Sequence, residues 1–238
     1  MRRTPGATRL VATTTASDRT GPPVARPRPR RDWWIPTSLL ALTFVPVVAG
    51  AARLVDLSSG RTSENARFFD LPVPVVVHIL GATTYCVLGA FQLMPSLRRR
   101  RPRWHRWSGR VLVPAGLAAA VSGLVMAVSD DLPVHDNAAL MWLRLVFGTL
   151  MAVGLVLGLA AIRSRDVRGH QRWMARSYAV AQGAGTQAVV LGPMVLLVDQ
   201  PGGALKATGM GFAWVLNLAV AEWLVRRSQA RQSSRRVW

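Results

Sequence analysis

The chain has 238 residues, half of them hydrophobic, and its thirty Lys and Arg against eleven Asp and Glu give a formal charge of +19. In a soluble protein that balance would point to nucleic acid, but here the charge lies in blocks at the edges of apolar runs. With no basic helix or aromatic-laced sheet to dock on bases, nucleic acid is excluded as a partner and anionic lipid headgroups are the expected counterions.

Residues 1–34 are rich in Arg, Pro and Thr and poor in large apolar groups, so they cannot bury enough surface to offset chain entropy, and a disordered basic tail is expected. Ala49, Gly50 and Ala51 mimic the small-residue end of a secretory signal, but the basic stretch before them is far too long for one. The first apolar run is therefore expected to remain as a span. Residues 35–225 hold six such runs, 35–55, 73–94, 111–128, 140–162, 178–198 and 205–225, each near the roughly 20 residues that cross a hydrocarbon core. The expected fold is all-α, a polytopic bundle of six transmembrane helices, followed by a basic tail at 226–238.

Arginine gives the orientation. Eight arginines precede Trp33, seven lie between the second and third runs, five between the fourth and fifth, and five follow the sixth, so 25 of the 30 basic residues gather at one end. The alternate linkers carry Asp56, Glu64, Asp70, Asp130, Asp131, Asp136 and Asp199, seven of the eleven acids. By the positive-inside rule the basic end and both termini are cytoplasmic. Arginine far outnumbers the single Lys206, a bias that fits GC-rich coding and a bacterial cytoplasmic membrane. Trp33, Trp34, Trp104, Trp107, Trp142, Trp173 and Trp223 near the span ends form an interfacial belt.

In the second run His78, Gly81, Tyr85, Gly89 and Gln92 recur at helical spacing and share one narrow face. A polar group facing lipid would be left unsatisfied, so this stripe turns into the bundle. Close packing over the glycines is the default explanation, and a slot for a planar cofactor beside His78 is the functional one. Cys86, the only cysteine, lies in the same run, which excludes an intrachain disulfide, a C-x-x-C redox pair and a C-x-x-C-H haem attachment site.

The fourth run contains a GxxxG at Gly154 and Gly158, and the fifth has Gly183, Gly185 and Gly192, again packing faces. Gln182, Thr186 and Gln187 in the fifth run and Asn217 in the sixth need polar partners inside the membrane, as glue between helices or as the wall of a polar cavity with Tyr85 and Gln92. Arg144, about one turn inside the fourth run, can snorkel outward, pair with Asp136 or contact an anion or quinone.

Two basic linkers resemble each other: 103–107 (RWHRW) and 168–173 (RGHQRW) both read R-x-H-(x)-R-W with one residue inserted, as in an internally duplicated membrane protein. His105 and His170 thereby enter the membrane on the same side at the starts of two parallel spans. Two neutral imidazoles facing each other across a bundle can ligate a haem iron axially. The competing account is an anchoring linker whose His, Arg and Trp bind headgroups. His78 and His135 lie toward the opposite surface, where a second pair is conceivable.

Segments 77–92 (VHILGATTYCVLGAFQ), 97–110 (LRRRRPRWHRWSGR), 144–187 (RLVFGTLMAVGLVLGLAAIRSRDVRGHQRWMARSYAVAQGAGTQ) and 214–223 (WVLNLAVAEW) closely resemble the bacterial predicted membrane proteins of domain-of-unknown-function family 2306. The resemblance covers residues 73–226 or so and implies a multi-pass membrane protein while leaving its reaction open. The layout is also loosely similar to the di-haem cytochrome b561 type, whose haems sit between transmembrane histidines. This chain departs from it, lacking four histidines well inside four helices.

Three functional classes follow. An electron carrier would bind haem b through His105 and His170, with His78 as an outer ligand or proton relay and a quinone or redox protein as partner. A transporter or lipid-handling protein would use a midplane cavity, and a structural or regulatory protein would use the basic face alone. No hydrolase is expected: the chain has no G-x-S-x-G, H-E-x-x-H or Walker loop, and Glu222, its one acid within a span, is accounted for by Arg226 four residues on.

Overall fold

The structure, a computed structural model, describes residues 32–62, 65–129, 137–198 and 202–234. Residues 1–31 of the expected tail at 1–34, His135, the loop acids Glu64, Asp130, Asp131, Asp136 and Asp199, and the last four residues lie outside them, whereas Trp34 already begins the first helix. The described residues form nine helices and no strand: α1 (Trp34–Ser58), α2 (Ala66–Asp70), α3 (Pro72–Gln92), α4 (Pro95–Arg100), α5 (Pro102–Ala127), α6 (Ala138–Arg163), α7 (Val167–Ala181), α8 (Gly183–Val198) and α9 (Gly203–Ser234).

Six of these segments are long and apolar enough to cross a membrane: α1, α3, α5, α6, the pair α7 and α8, and α9. The spans are the expected six, but two begin earlier. Where apolarity alone gives 111 and 178, α5 starts at Pro102 and α7 at Val167. Proline at the first helical position costs no hydrogen bond and presets the backbone, as at Pro72, Pro95 and Pro102. Asp166 caps α7 by accepting a hydrogen bond from Gly169 N at 2.8 Å, and Asn137 caps α6 through Leu140 N at 2.9 Å. Between α6 and α7 the chain reverses through Arg165, held in the left-handed region at φ 64°. At the far end α9 runs on to Ser234, so 226–234 continue the helix.

Helix α3 packs along α5, α5 on α6 and α6 on α7, while α1 lies against α3 and α8, and α9 covers α6, α7 and α8. Tyr85, Leu112, Phe147, Met151, Leu155 and Tyr178 form the buried core. Large apolar side chains such as Phe44, Val146, Leu196 and Leu197 point outward, whereas Ser108, Ser177, Gln182, Thr186 and Gln187 are buried. That inversion of the soluble pattern is what a lipid solvent demands.

Candidate functional site

The polar side chains of the bundle fall into three groups at different depths. The middle group surrounds Gln182, the single non-helical residue between α7 and α8. Glycines let α1 and α9 reach it: a Cβ on Gly185 would collide with the carbonyl of Leu42, and one on Gly183 with the ring of Trp214. Gln182 Nε2 donates to Tyr178 Oη at 2.8 Å and to Thr43 Oγ1 at 3.0 Å, and Tyr178 Oη donates to the Cys86 carbonyl at 2.7 Å. One turn on, Thr186 Oγ1 donates to Asn217 Oδ1 at 2.9 Å and Asn217 Nδ2 to the Ala179 carbonyl at 3.2 Å. Gln187 Nε2 reaches the Met210 carbonyl at 3.4 Å. These groups satisfy one another, tying α1, α3, α7, α8 and α9 together as interhelical glue.

Tyr85 joins this group through its ring, which lies 5.8 Å from that of Tyr178. The stripe on α3 is filled by protein along its length. A Cβ on Gly81 would meet the Ala115 carbonyl at 2.8 Å, and one on Gly89 would collide with the Tyr178 ring. On α5, a Cβ at Gly116 would meet the Tyr85 ring at 2.8 Å. The glycine stripe is thus a packing face. Gln92, at the arginine-rich end of α3, belongs elsewhere: its Nε2 donates to Ser108 Oγ and, at 3.1 Å, to the His105 carbonyl.

Toward the opposite end, His78 Nδ1 lies 2.8 Å from the Ala119 carbonyl. As donor there, Nδ1 leaves Nε2 as the nitrogen with a free lone pair. Arg144 is half-buried on α6, and Asp136, its suggested partner, lies outside the described residues.

The third group sits at the arginine-rich end. His105, on the first turn of α5, has its Nδ1 buried without a hydrogen-bond partner. His170, on the first turn of α7, has its Nδ1 2.9 Å from the Gly158 carbonyl, which as acceptor leaves the free lone pair on Nε2. His170, Arg98 and Arg106 all come within electrostatic reach of His105. The early starts of α5 and α7 put both histidines of the similar linkers on helices, at the same end of the bundle.

Sequence reasoning paired Glu222 only with Arg226. In the structure Arg176 also holds it, through Nη2 at 2.8 Å and Nε at 3.1 Å, and Arg226 adds Nε at 3.1 Å. Arg176 lies 46 residues away on α7, so no local spacing could reveal it. Among the described residues no group of three or more His, Cys, Asp or Glu could hold a metal ion.

A family model described as "Predicted membrane protein (DUF2306)" matches residues 75–225, from α3 into α9. No curated protein and no solved structure matched the chain.

Proposed function

Because this chain belongs to the DUF2306 family of predicted membrane proteins, we propose that its function is performed inside the membrane bundle, as haem-linked electron transfer at the arginine-rich end that carries both His105 and His170. The observation that carries this reading is a buried Nδ1 on His105 with no hydrogen-bond partner, at the same end of the bundle as a His170 whose own Nδ1 is tied to a backbone carbonyl. A backbone carbonyl on the second ring nitrogen is the usual support of a ligating histidine, because it fixes the tautomer and raises the basicity of the free nitrogen.

The donor set fits haem better than a bare ion. Structural zinc takes four protein ligands and catalytic zinc three, whereas a bis-histidine haem takes two axial imidazoles. Arg98 and Arg106 beside His105 would match the charge of the propionates. When bound, the haem supplies a one-electron couple, and the chain's part is to orient the two imidazoles and exclude water from them. The midplane network offers less for transport, since its amides and hydroxyls are spent on one another. With the arginines of the linkers before α5 and α7 at this end, the histidines would face the cytoplasm of a bacterium and take electrons from a reductant there or exchange them with a quinone.

A dithionite-reduced minus oxidised visible spectrum tests the reading, on protein purified in mild detergent from haem-supplemented cells. The expected result is sharp α and Soret bands in the wild type, lost in both His105→Ala and His170→Ala. A folded wild type without colour would overturn it, and bands surviving both substitutions would reassign the ligands.

A further inference from the structure

A cleft of about 540 Å³ opens at the arginine-rich end of the bundle, between the first turns of α7 and the extension of α9 beyond the apolar region. Its walls carry Arg168 and Arg172 from α7 and Arg226 and Gln229 from α9, with Asp166 at its edge. Arg168 and Arg172 are four residues apart, so both guanidinium groups project from one face of α7 toward α9. Asp166 is committed to capping α7 through Gly169 N, and Arg226 reaches Glu222 by its Nε alone in the described contacts. With Arg226 already paired to Glu222, Arg168 and Arg172 face the single carboxylate of Asp166, which leaves the cleft an excess of positive charge and of planar donors.

From this geometry we infer that the cleft binds a phosphate group, presented either by an anionic lipid headgroup or by a small soluble phosphate. Guanidinium forks recognise phosphate through paired N–H donors, and three forks drawn from two helices can surround one tetrahedral anion. The volume lies within the range of small-ligand sites, roughly 300–1,000 Å³. A smaller adjoining hollow, lined by Val225 and Ser228 as well as Arg168 and Arg172, continues the site toward the apolar flank of α9. The site shares no residue with the His105–His170 pair, so either reading can fail without the other.

Thermal unfolding of the full chain in mild detergent tests the inference, titrated separately with dihexanoylphosphatidylglycerol, dihexanoylphosphatidylcholine and sodium pyrophosphate. Binding to the folded state raises the transition temperature with ligand concentration. Stabilisation by phosphatidylglycerol and not pyrophosphate assigns a lipid headgroup, and the reverse assigns a soluble phosphate. In either case Arg168→Gln/Arg172→Gln is expected to raise the half-saturating concentration roughly fivefold or more, since charge-assisted pairs are lost. Arg99→Gln/Arg100→Gln, equally basic but on α4, is expected to leave it unchanged. Should the double variant not fold, Arg168→Gln alone is expected to weaken binding at least about twofold. The inference is overturned if no anionic ligand stabilises the protein, or if both double variants weaken binding equally, which would mean a diffuse attraction to the whole basic face.

Discussion

A methyl group added at Gly81 would meet the carbonyl oxygen of Ala115 at 2.8 Å and the amide nitrogen of Ala119 at 3.1 Å, both backbone atoms of α5. Neither can rotate aside, so α3 and α5 would have to separate. At Gly109 the same methyl meets nothing within 4 Å. Gly81→Ala is therefore expected to destabilise the bundle by about 1–3 kcal/mol, as overpacking does, while Gly109→Ala stays neutral or gains up to about 1 kcal/mol of helix propensity. Reversible unfolding in mixed detergent micelles compares the two, and equal effects would remove the close-packing account of the α3 stripe. The facing direction of that stripe was legible from its 3.6-residue period. What filled it was not, because the ring that occupies the space beside Gly89 belongs to Tyr178, far along the chain. Gln182 shows the same limit: a lone amide in an apolar run announces that it needs a partner, but not that the partner is Thr43, 139 residues earlier.

The helices proved easier to read than their ends. Hydropathy places each span because the lipid core demands an apolar exterior, yet it misses the turns that carry His105 and His170, where arginine and tryptophan break the apolar run. The short α4 escaped it altogether, being basic and lying between two spans. That helix is held from the other side by Asp32, just ahead of α1, whose carboxylate accepts a hydrogen bond from Ser96 N at 2.8 Å. Burial opposes the charge on Asp32, but the hydrogen bonds from Ser96 and the nearby Arg99 outweigh it and hold the carboxyl below its ordinary value. A carboxyl lowered by folding contributes its stabilisation above the ordinary carboxylate range and loses it as the pH falls through the lowered value. The latch is thus expected to be intact at neutral pH and to release in acid. The Ser96 amide resonance in an NMR titration should report a midpoint below that of a free aspartate, and Asp32→Asn should abolish the step. A midpoint at or above the ordinary value would show that Arg99 and the amide do not govern this carboxyl.

Across the whole molecule, the distribution of charge and the path of the chain carry one consistent instruction. The end of α3, the start of α5, the end of α6 and the start of α7 carry arginines, whereas the end of α1 and the approach to α3 carry Asp56 and Asp70, as successive crossings require. The direction of the whole assembly relative to the membrane is a separate matter, governed by arginine placement through the positive-inside rule. The chain suits a direct test because its one cysteine, Cys86, is buried between α3 and its neighbours and should be silent to labelling. Ser59, exposed after α1, and Ser164, exposed after α6, stand at opposite ends of the bundle. In intact cells a membrane-impermeant maleimide is expected to label Ser59→Cys and to leave Ser164→Cys untouched until the membrane is permeabilised. The reverse pattern would turn the basic end outward. It would place His105, His170 and the cleft of Arg168 and Arg172 on the wrong side for a cytoplasmic reductant and for the inner leaflet, whatever their local geometry. The same pair of variants therefore bears on both proposals at once, since orientation decides which compartment each site can reach.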